Sequence, residues 1–331
     1  MKLSILDQSP IPEGKTAADA LKDSLELAQA GEKYGYSRFW VTEHHDMPGL
    51  ACSAPEILLS YIGALTHKIR IGSGALLLPH YKPYKVAEQF NMLASLFPGR
   101  IDLGIGRAPG GSAEATSALS DAFLQQVYKM PELADELLHF LHADFPEENI
   151  FSKITAAPVP QTSPVPWVLG TSAKSAKLAA ERGMAYAFGQ FMSDKEGTEI
   201  LSIYNDNFIP SKSLKVPMSL LTINAVCAET AEKAREIAES SLLWKINASI
   251  GTGGKVPSKE QAKKYFKKHS TKSSSGQLSS NFIIGNPAEV KDQLIGLQQK
   301  YKTDELMILT IAHDIRDRIN SYELIARAIL E

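Results

Sequence analysis

Glu43-His44-His45-Asp46 follows Phe39-Trp40-Val41-Thr42, so a stretch that reads as a buried strand runs straight into four ionisable side chains. In parallel β/α proteins, active sites assemble at the C-terminal ends of strands. A Glu-His pair there is placed for proton chemistry, because imidazole titrates near neutral pH and a neighbouring carboxylate moves that value. The same four residues could be read as metal ligands of a hydrolase. Against this, adjacent residues of an extended segment point to opposite sides, and no second ligand spacing supports it.

Three other segments carry chemistry. Ile69-Arg70-Ile71-Gly72-Ser73-Gly74-Ala75-Leu76-Leu77-Leu78 is an apolar strand with two glycines, which mark a tight place in packing or the close approach of a flat ligand. Gly104-Ile105-Gly106-Arg107-Ala108-Pro109-Gly110-Gly111 puts a permanent cation on an open backbone, a combination suited to an anion. Gly170-Thr171-Ser172-Ala173-Lys174-Ser175 places hydroxyls at a helix start, where they either cap the helix or bond phosphate oxygens. Together, Arg107, Ser172 and Ser175 would form a phosphate site, and the glycines of the third strand would admit a planar ring.

Short apolar strands alternating with amphipathic helices must position these groups. Strands are expected at Leu3–Leu6, Phe39–Thr42, Ile69–Leu78, Ile101–Ile105, Trp167–Leu169, Ala185–Phe188, Ser219–Val226 and Glu305–Leu309. Ser53-Ala54-Pro55-Glu56, Ser193-Asp194-Lys195-Glu196 and Asn286-Pro287-Ala288-Glu289 read as helix starts, each with a capping side chain three residues before a carboxylate. Eight such units predict one α/β domain over residues 1–331, a (β/α)8 TIM barrel. Two regions break the rhythm. Residues 108–165 read as an irregular insertion with helix over roughly Ser120–Phe145. Residues 251–280, rich in Gly, Ser and Lys and including Lys263, Lys264, Lys267, Lys268 and Lys272, read as a mobile segment.

Bulk properties narrow the classes. With 44% apolar and 22% charged residues and a formal net charge of -2, the 331-residue chain has no global field to recruit nucleic acid or an acidic membrane. No apolar run approaches the roughly 20 residues of a membrane span. Cys52 and Cys227 form no metal spacing, and no signal peptide is evident, so a cytoplasmic location is expected.

The ordered set of Phe39–His45, Ile71–Pro79, Pro83 with Ala87-Glu88, Gly99-Arg100, Gly104–Arg107, Ser172–Ser175, Ala180–Gly183 and Ile284–Pro287 resembles the bacterial-luciferase-like flavin monooxygenases. That family consists of (β/α)8 barrels that bind FMN. Gly106-Arg107-Ala108-Pro109-Gly110 is similar to a single-chain subgroup. The resemblance implies a non-proline cis peptide at Gly74-Ala75 beneath the flavin, with Arg107, Thr171, Ser172 and Ser175 at its phosphate. It also implies that His44 is the general acid/base, oriented or tuned by Glu43, with His45 facing away. Phe188, Phe191 and Trp244 are expected on the pocket wall.

The implied reaction takes reduced FMN from a separate flavin reductase and adds O2 to give a C4a-peroxide, which oxidises a small organic substrate. A homodimer is implied as well. Two other readings are an F420-dependent oxidoreductase on the same barrel and a flavin-binding protein without catalysis. The chain departs from luciferase at Gly106, where luciferase α chains carry a cysteine, and over 108–166. Light emission and a long-chain aldehyde substrate are therefore not expected.

Overall fold

Runs of Leu, Ile and Val without polar alternation suit strands covered on both faces, and the apolar segments are parallel strands. A computed structural model describes residues 1–193, 195–269 and 282–331. The strands are β1 (Lys2–Asp7), β2 (Arg38–Val41), β3 (Arg70–Leu77), β4 (Ile101–Gly106), β5 (Val165–Gly170), β6 (Ala185–Gly189), β7 (Ser219–Cys227), β8 (Phe282–Gly285) and β9 (Glu305–Leu309). Pairing runs β1 through β7, then β9, which closes on β1 to give an eight-stranded barrel. The eight expected strands are the staves of this barrel. β8 was not expected: it pairs with Asn224–Cys227 of β7, beyond Ser219–Thr222, the part of β7 that pairs with β6. Four residues are too few to show a period.

The helices are α1 (Ala17–Lys33), α2 (Pro55–Ala64), α3 (Pro83–Leu96), α4 (Ala113–Leu119), α5 (Phe123–Tyr128), α6 (Met130–His142), α7 (Ala173–Glu181), α8 (Thr198–Asp206), α9 (Ala231–Ser249), α10 (Lys259–Lys268), α11 (Pro287–Tyr301) and α12 (Ile315–Leu330). Of the three expected caps, only Asn286 acts as one. Its side chain accepts from the Ala288 and Glu289 amides, and Glu289 accepts from the Asn286 amide at 3.0 Å. At α2 the capping position is Ala54, which has no side-chain bond, and Pro55 alone marks the start. Ser193 closes a turn onto Lys195, while α8 begins later, behind Gly197.

The insertion between β4 and β5 folds as α4, α5 and α6. Only α6 buries a face, through Met130, Ala134, Leu137, Phe140 and Leu141; α4 and α5 bury no residue. In the segment after α9, Val256 exchanges backbone bonds with Ile11 and Glu13, and Lys263, Lys264, Lys267 and Lys268 lie on α10. Lys272 and the remainder to residue 280 lie outside the described residues.

The lower interior of the barrel is a buried ion network. Arg38 donates to Glu305 at 2.6 Å and to Asp102 at 2.9 Å, Arg70 donates to Asp102 at 2.6 Å, and Trp40 Nε1 donates to Asp102 at 3.0 Å. Above it, the Trp40 and Trp167 rings meet edge to face at 5.1 Å. This packing accounts for Gly72. A Cβ there would lie 2.8 Å from Trp40 Nε1 and 2.6 Å from the Asp102 carbonyl oxygen. The tight-packing reading therefore applies at Gly72.

Candidate functional site

At the C-terminal end of the barrel, one cavity of about 360 Å³ brings together Glu43, His44, Gly74, Ala75, Arg107, Thr171, Ser172 and Ser175. These residues come from the ends of β2, β3, β4 and β5, so four separate sequence segments converge as their strand order requires. The Gly74–Ala75 peptide is cis. Leu6, Leu169 and Ala187 add apolar wall, and Gln8 and Thr222 add uncharged polar wall.

The β2 tetrad divides into separate tasks. Glu43 is buried, and both its oxygens are engaged. Oε1 accepts from His45 Nε2 at 2.8 Å and from the Tyr81 hydroxyl at 2.6 Å, and Oε2 accepts from the Leu77 amide at 2.9 Å. Burial, then the adjacent Glu43 carboxylate, push the Tyr81 hydroxyl well above its usual range, so it stays a donor. Glu43 therefore staples β2 to the end of β3, and it does not orient His44 as expected. The His44 ring is held instead through Nδ1 by the Thr42 hydroxyl at 2.9 Å, which leaves Nε2 without a protein partner among the described residues.

His45 and Asp46 grip the loop that carries Arg107. The His45 amide donates to the Gly110 carbonyl at 2.8 Å, and the Ser112 hydroxyl donates to Asp46 at 2.6 Å. Nothing in the sequence pattern signalled Tyr81, Ser112 or this clasp, because each bond joins residues more than thirty positions apart.

Arg107 is exposed, and among the described residues no acceptor pairs with its guanidinium. Ser172 is the capping residue of α7. Ser175 completes a capping box, donating to the Ser172 carbonyl at 2.7 Å and lying 3.1 Å from the Tyr186 hydroxyl. Ser172 and Ser175 cap the helix and also line the cavity, so the start of α7, where a helix N-terminus favours an anion, lies at the cavity wall. Among the pocket-wall aromatics, Phe191 lines the cavity. Phe188 belongs to the core between barrel and helices, and Trp244 donates to the Gly254 carbonyl at 2.7 Å within the inner cluster.

Burial, aided by neighbouring His45, lowers the His44 imidazole to about 4. The ring is thus neutral at physiological pH. A folded value below the unfolded one of about 6.5 means that the unfolded chain takes up the proton first. The contribution is complete above about pH 6.5 and is lost as pH falls from there towards 4. Urea titrations of ligand-free protein at pH 7.5 and pH 4.5 should show a smaller acid loss for His44→Gln than for wild type. Equal losses would contradict the buried neutral ring.

Among the described residues, no group of three His, Cys, Asp or Glu side chains could hold a metal, and no helix is long and apolar enough to cross a membrane.

Comparison with known proteins agrees with this architecture. The model of the luciferase-like monooxygenase family matches residues 1–303. The N-acetyl-S-alkylcysteine monooxygenase of Bacillus subtilis (strain 168) is 37% identical over 332 residues, covering 100% of this chain and 98% of that protein. The structure of apo-MsnO8 superposes with a TM-score of 0.90 at 34% identity, covering 99% of this chain and 98% of that one. The barrel fold alone is shared, at 18% and 15% identity, with a 3,6-diketocamphane monooxygenase in complex with FMN and an F420-dependent secondary alcohol dehydrogenase. Their TM-scores are 0.72 and 0.70; each comparison covers 99% of this chain and 98% of the other. This chain belongs to the luciferase-like monooxygenase family.

Proposed function

We propose that the protein is a monooxygenase that uses reduced FMN and O2 on a small organic substrate. The observation that carries this reading is the polarity of the cavity. An unpaired guanidinium and a hydroxyl-capped helix start lie on the same wall system as an apolar strip formed by Leu6, Ala75, Leu169 and Ala187. A flat aromatic ring with a phosphate tail fits that division, and the volume lies within the usual range for cofactor sites of about 300–1,000 Å³. Arg107, the one Lys or Arg side chain among the described residues that line the cavity, beside one helix N-terminus suits a phosphate monoester, which favours FMN over F420.

In this reading Arg107 and the first-turn amides of α7 hold the phosphate, and Thr171, Ser172 and Ser175 fix that turn. Reduced FMN, when bound, supplies two electrons, so that one oxygen atom of O2 enters the substrate and the other leaves as water. The apolar strip excludes bulk water. His44, neutral and held by Thr42, presents Nε2 to hold or move a proton. Glu43 positions the β2 and β3 ends from beneath. A separate flavin reductase supplies FMNH2.

A homodimer forms through α2 and α3. Their outer faces leave Ile57 68%, Tyr61 46%, Met92 54% and Leu96 60% exposed, an apolar surface that a second copy would cover. Two buried free cysteines suit a reducing cytoplasm.

The test is oxygen labelling. Reduced FMN, ¹⁸O2 and a panel of thioethers, including N-acetyl-S-alkylcysteines, are incubated with the protein. One labelled atom per product molecule is expected; recovery of all consumed O2 as hydrogen peroxide with every compound would sink the proposal.

A further inference from the structure

Gln190-Phe191-Met192 forms a short 3-10 helix directly after β6. A polar clamp holds it in place. The buried Gln190 side chain donates to the Ser193 carbonyl at 3.0 Å and to the Lys195 carbonyl at 3.1 Å, and its Oε1 accepts from the Tyr301 hydroxyl at 2.6 Å. With Gln190 turned into the protein, Phe191 and Met192 are left on the cavity wall.

Met192 is the one methionine among the described residues that line the cavity, and it is also 67% exposed, so it stands at the mouth. Its thioether lies against the wall. A Cβ built on Gly189, itself a wall residue, would lie 3.3 Å from Met192 Cγ and 3.5 Å from Sδ. Methionine usually serves to fill gaps in a core, a task that a side chain so open to solvent does not perform. What it brings to the wall is an oxidisable sulfur, which takes up one oxygen atom to become a sulfoxide. The cavity, about 360 Å³, is near the small end of the usual range for cofactor sites, so its wall residues lie close to whatever fills it.

We infer that Met192 is the site at which the protein oxidises itself when oxygen is activated with no substrate in the cavity. This rests on the monooxygenase reading above and adds a modification site to it. The step is the proposed reaction with the Met192 thioether in the place of the substrate. Reduced FMN gives up two electrons and two protons, and the sulfur gives up two electrons. The O–O bond of O2 breaks, one oxygen atom forms an S–O bond, and the other leaves as water. The product, methionine sulfoxide, puts a polar group where an apolar one stood at the mouth.

The test follows the oxygen atom. Photoreduced FMN, ¹⁸O2 and excess catalase are mixed with the protein without organic substrate, and the peptides containing Met192 and Met47 are read by mass spectrometry. Met47 is 41% exposed and lies outside the cavity wall, so it reports oxidation from solution. Flavin-free protein treated with hydrogen peroxide gives the ratio of Met192 to Met47 oxidation that exposure alone sets. With reduced FMN and ¹⁸O2 that ratio should rise about tenfold or more, the advantage of a group held beside the reacting oxygen. An unchanged ratio in protein that retains FMN on equilibrium dialysis would overturn this inference and leave the flavin reading standing. Protein that retains no FMN would overturn both.

Discussion

His44→Gln should bind FMN like wild type and lose about 10²- to 10⁴-fold in turnover, the usual contribution of a positioned acid/base group. The ring lines the cavity, is neutral, and has one nitrogen tied to Thr42 and the other without a partner among the described residues. Glutamine retains a polar side chain but cannot carry the proton through a cycle. The loss should appear in kcat at saturating substrate, with FMN affinity within about twofold of wild type, because no phosphate contact is touched. Thr42→Val should give a smaller loss, as it frees the ring to rotate without removing it. Full turnover by His44→Gln would place the proton elsewhere, and stopped-flow single-turnover kinetics with excess reduced FMN would show it.

Asp102→Ala should cost about 3–5 kcal/mol of stability, the range expected when one member of a buried ion network is removed. Asp102 is fully buried and accepts from Arg38, Arg70 and Trp40. Burial alone would raise its carboxyl; Arg38 and Arg70 outweigh that and hold it below the usual range. Alanine would leave Arg38 buried with Glu305 as its remaining carboxylate and free the Trp40 Nε1 hydrogen. A carboxyl with a lowered folded value stabilises above its unfolded value of about 3.9, and that contribution is lost as pH falls through the folded value. The difference between wild type and Asp102→Ala should therefore shrink below about pH 4. Urea denaturation at pH 7 measures the effect; a loss under about 1 kcal/mol would mean that the barrel floor does not depend on the network.

Much of this arrangement was legible in the sequence, for physical reasons. Eight buried strands announce themselves as apolar runs, and parallel pairing forces their C-terminal ends to one face. Arg107, Ser172 and His44, each following a strand, are thus expected on one rim from the sequence alone. What could not be read were bonds between distant positions. Glu43 looked like the partner of His44, its sequence neighbour, yet residues i and i+1 of an extended segment diverge, and the carboxylate turns to His45, Tyr81 and the Leu77 amide. Gly72 looked open to a ligand, but Trp40 and Asp102 fill the space. Ser53 and Ser193 have the composition of caps and not the geometry, whereas Asn286 has both. β8 is too short for any periodic signal.

The central claim is that the cavity holds FMN by its phosphate, through Arg107 and the start of α7. Equilibrium binding of FMN and of riboflavin, which lacks the phosphate, by wild type and Arg107→Ala tests it directly. One charge-assisted contact contributes about 1.5–3 kcal/mol, so Arg107→Ala should weaken FMN by about 10- to 150-fold and leave riboflavin unchanged. Equal affinity of wild type for FMN and riboflavin, or an Arg107→Ala protein that binds FMN as wild type does, would contradict it.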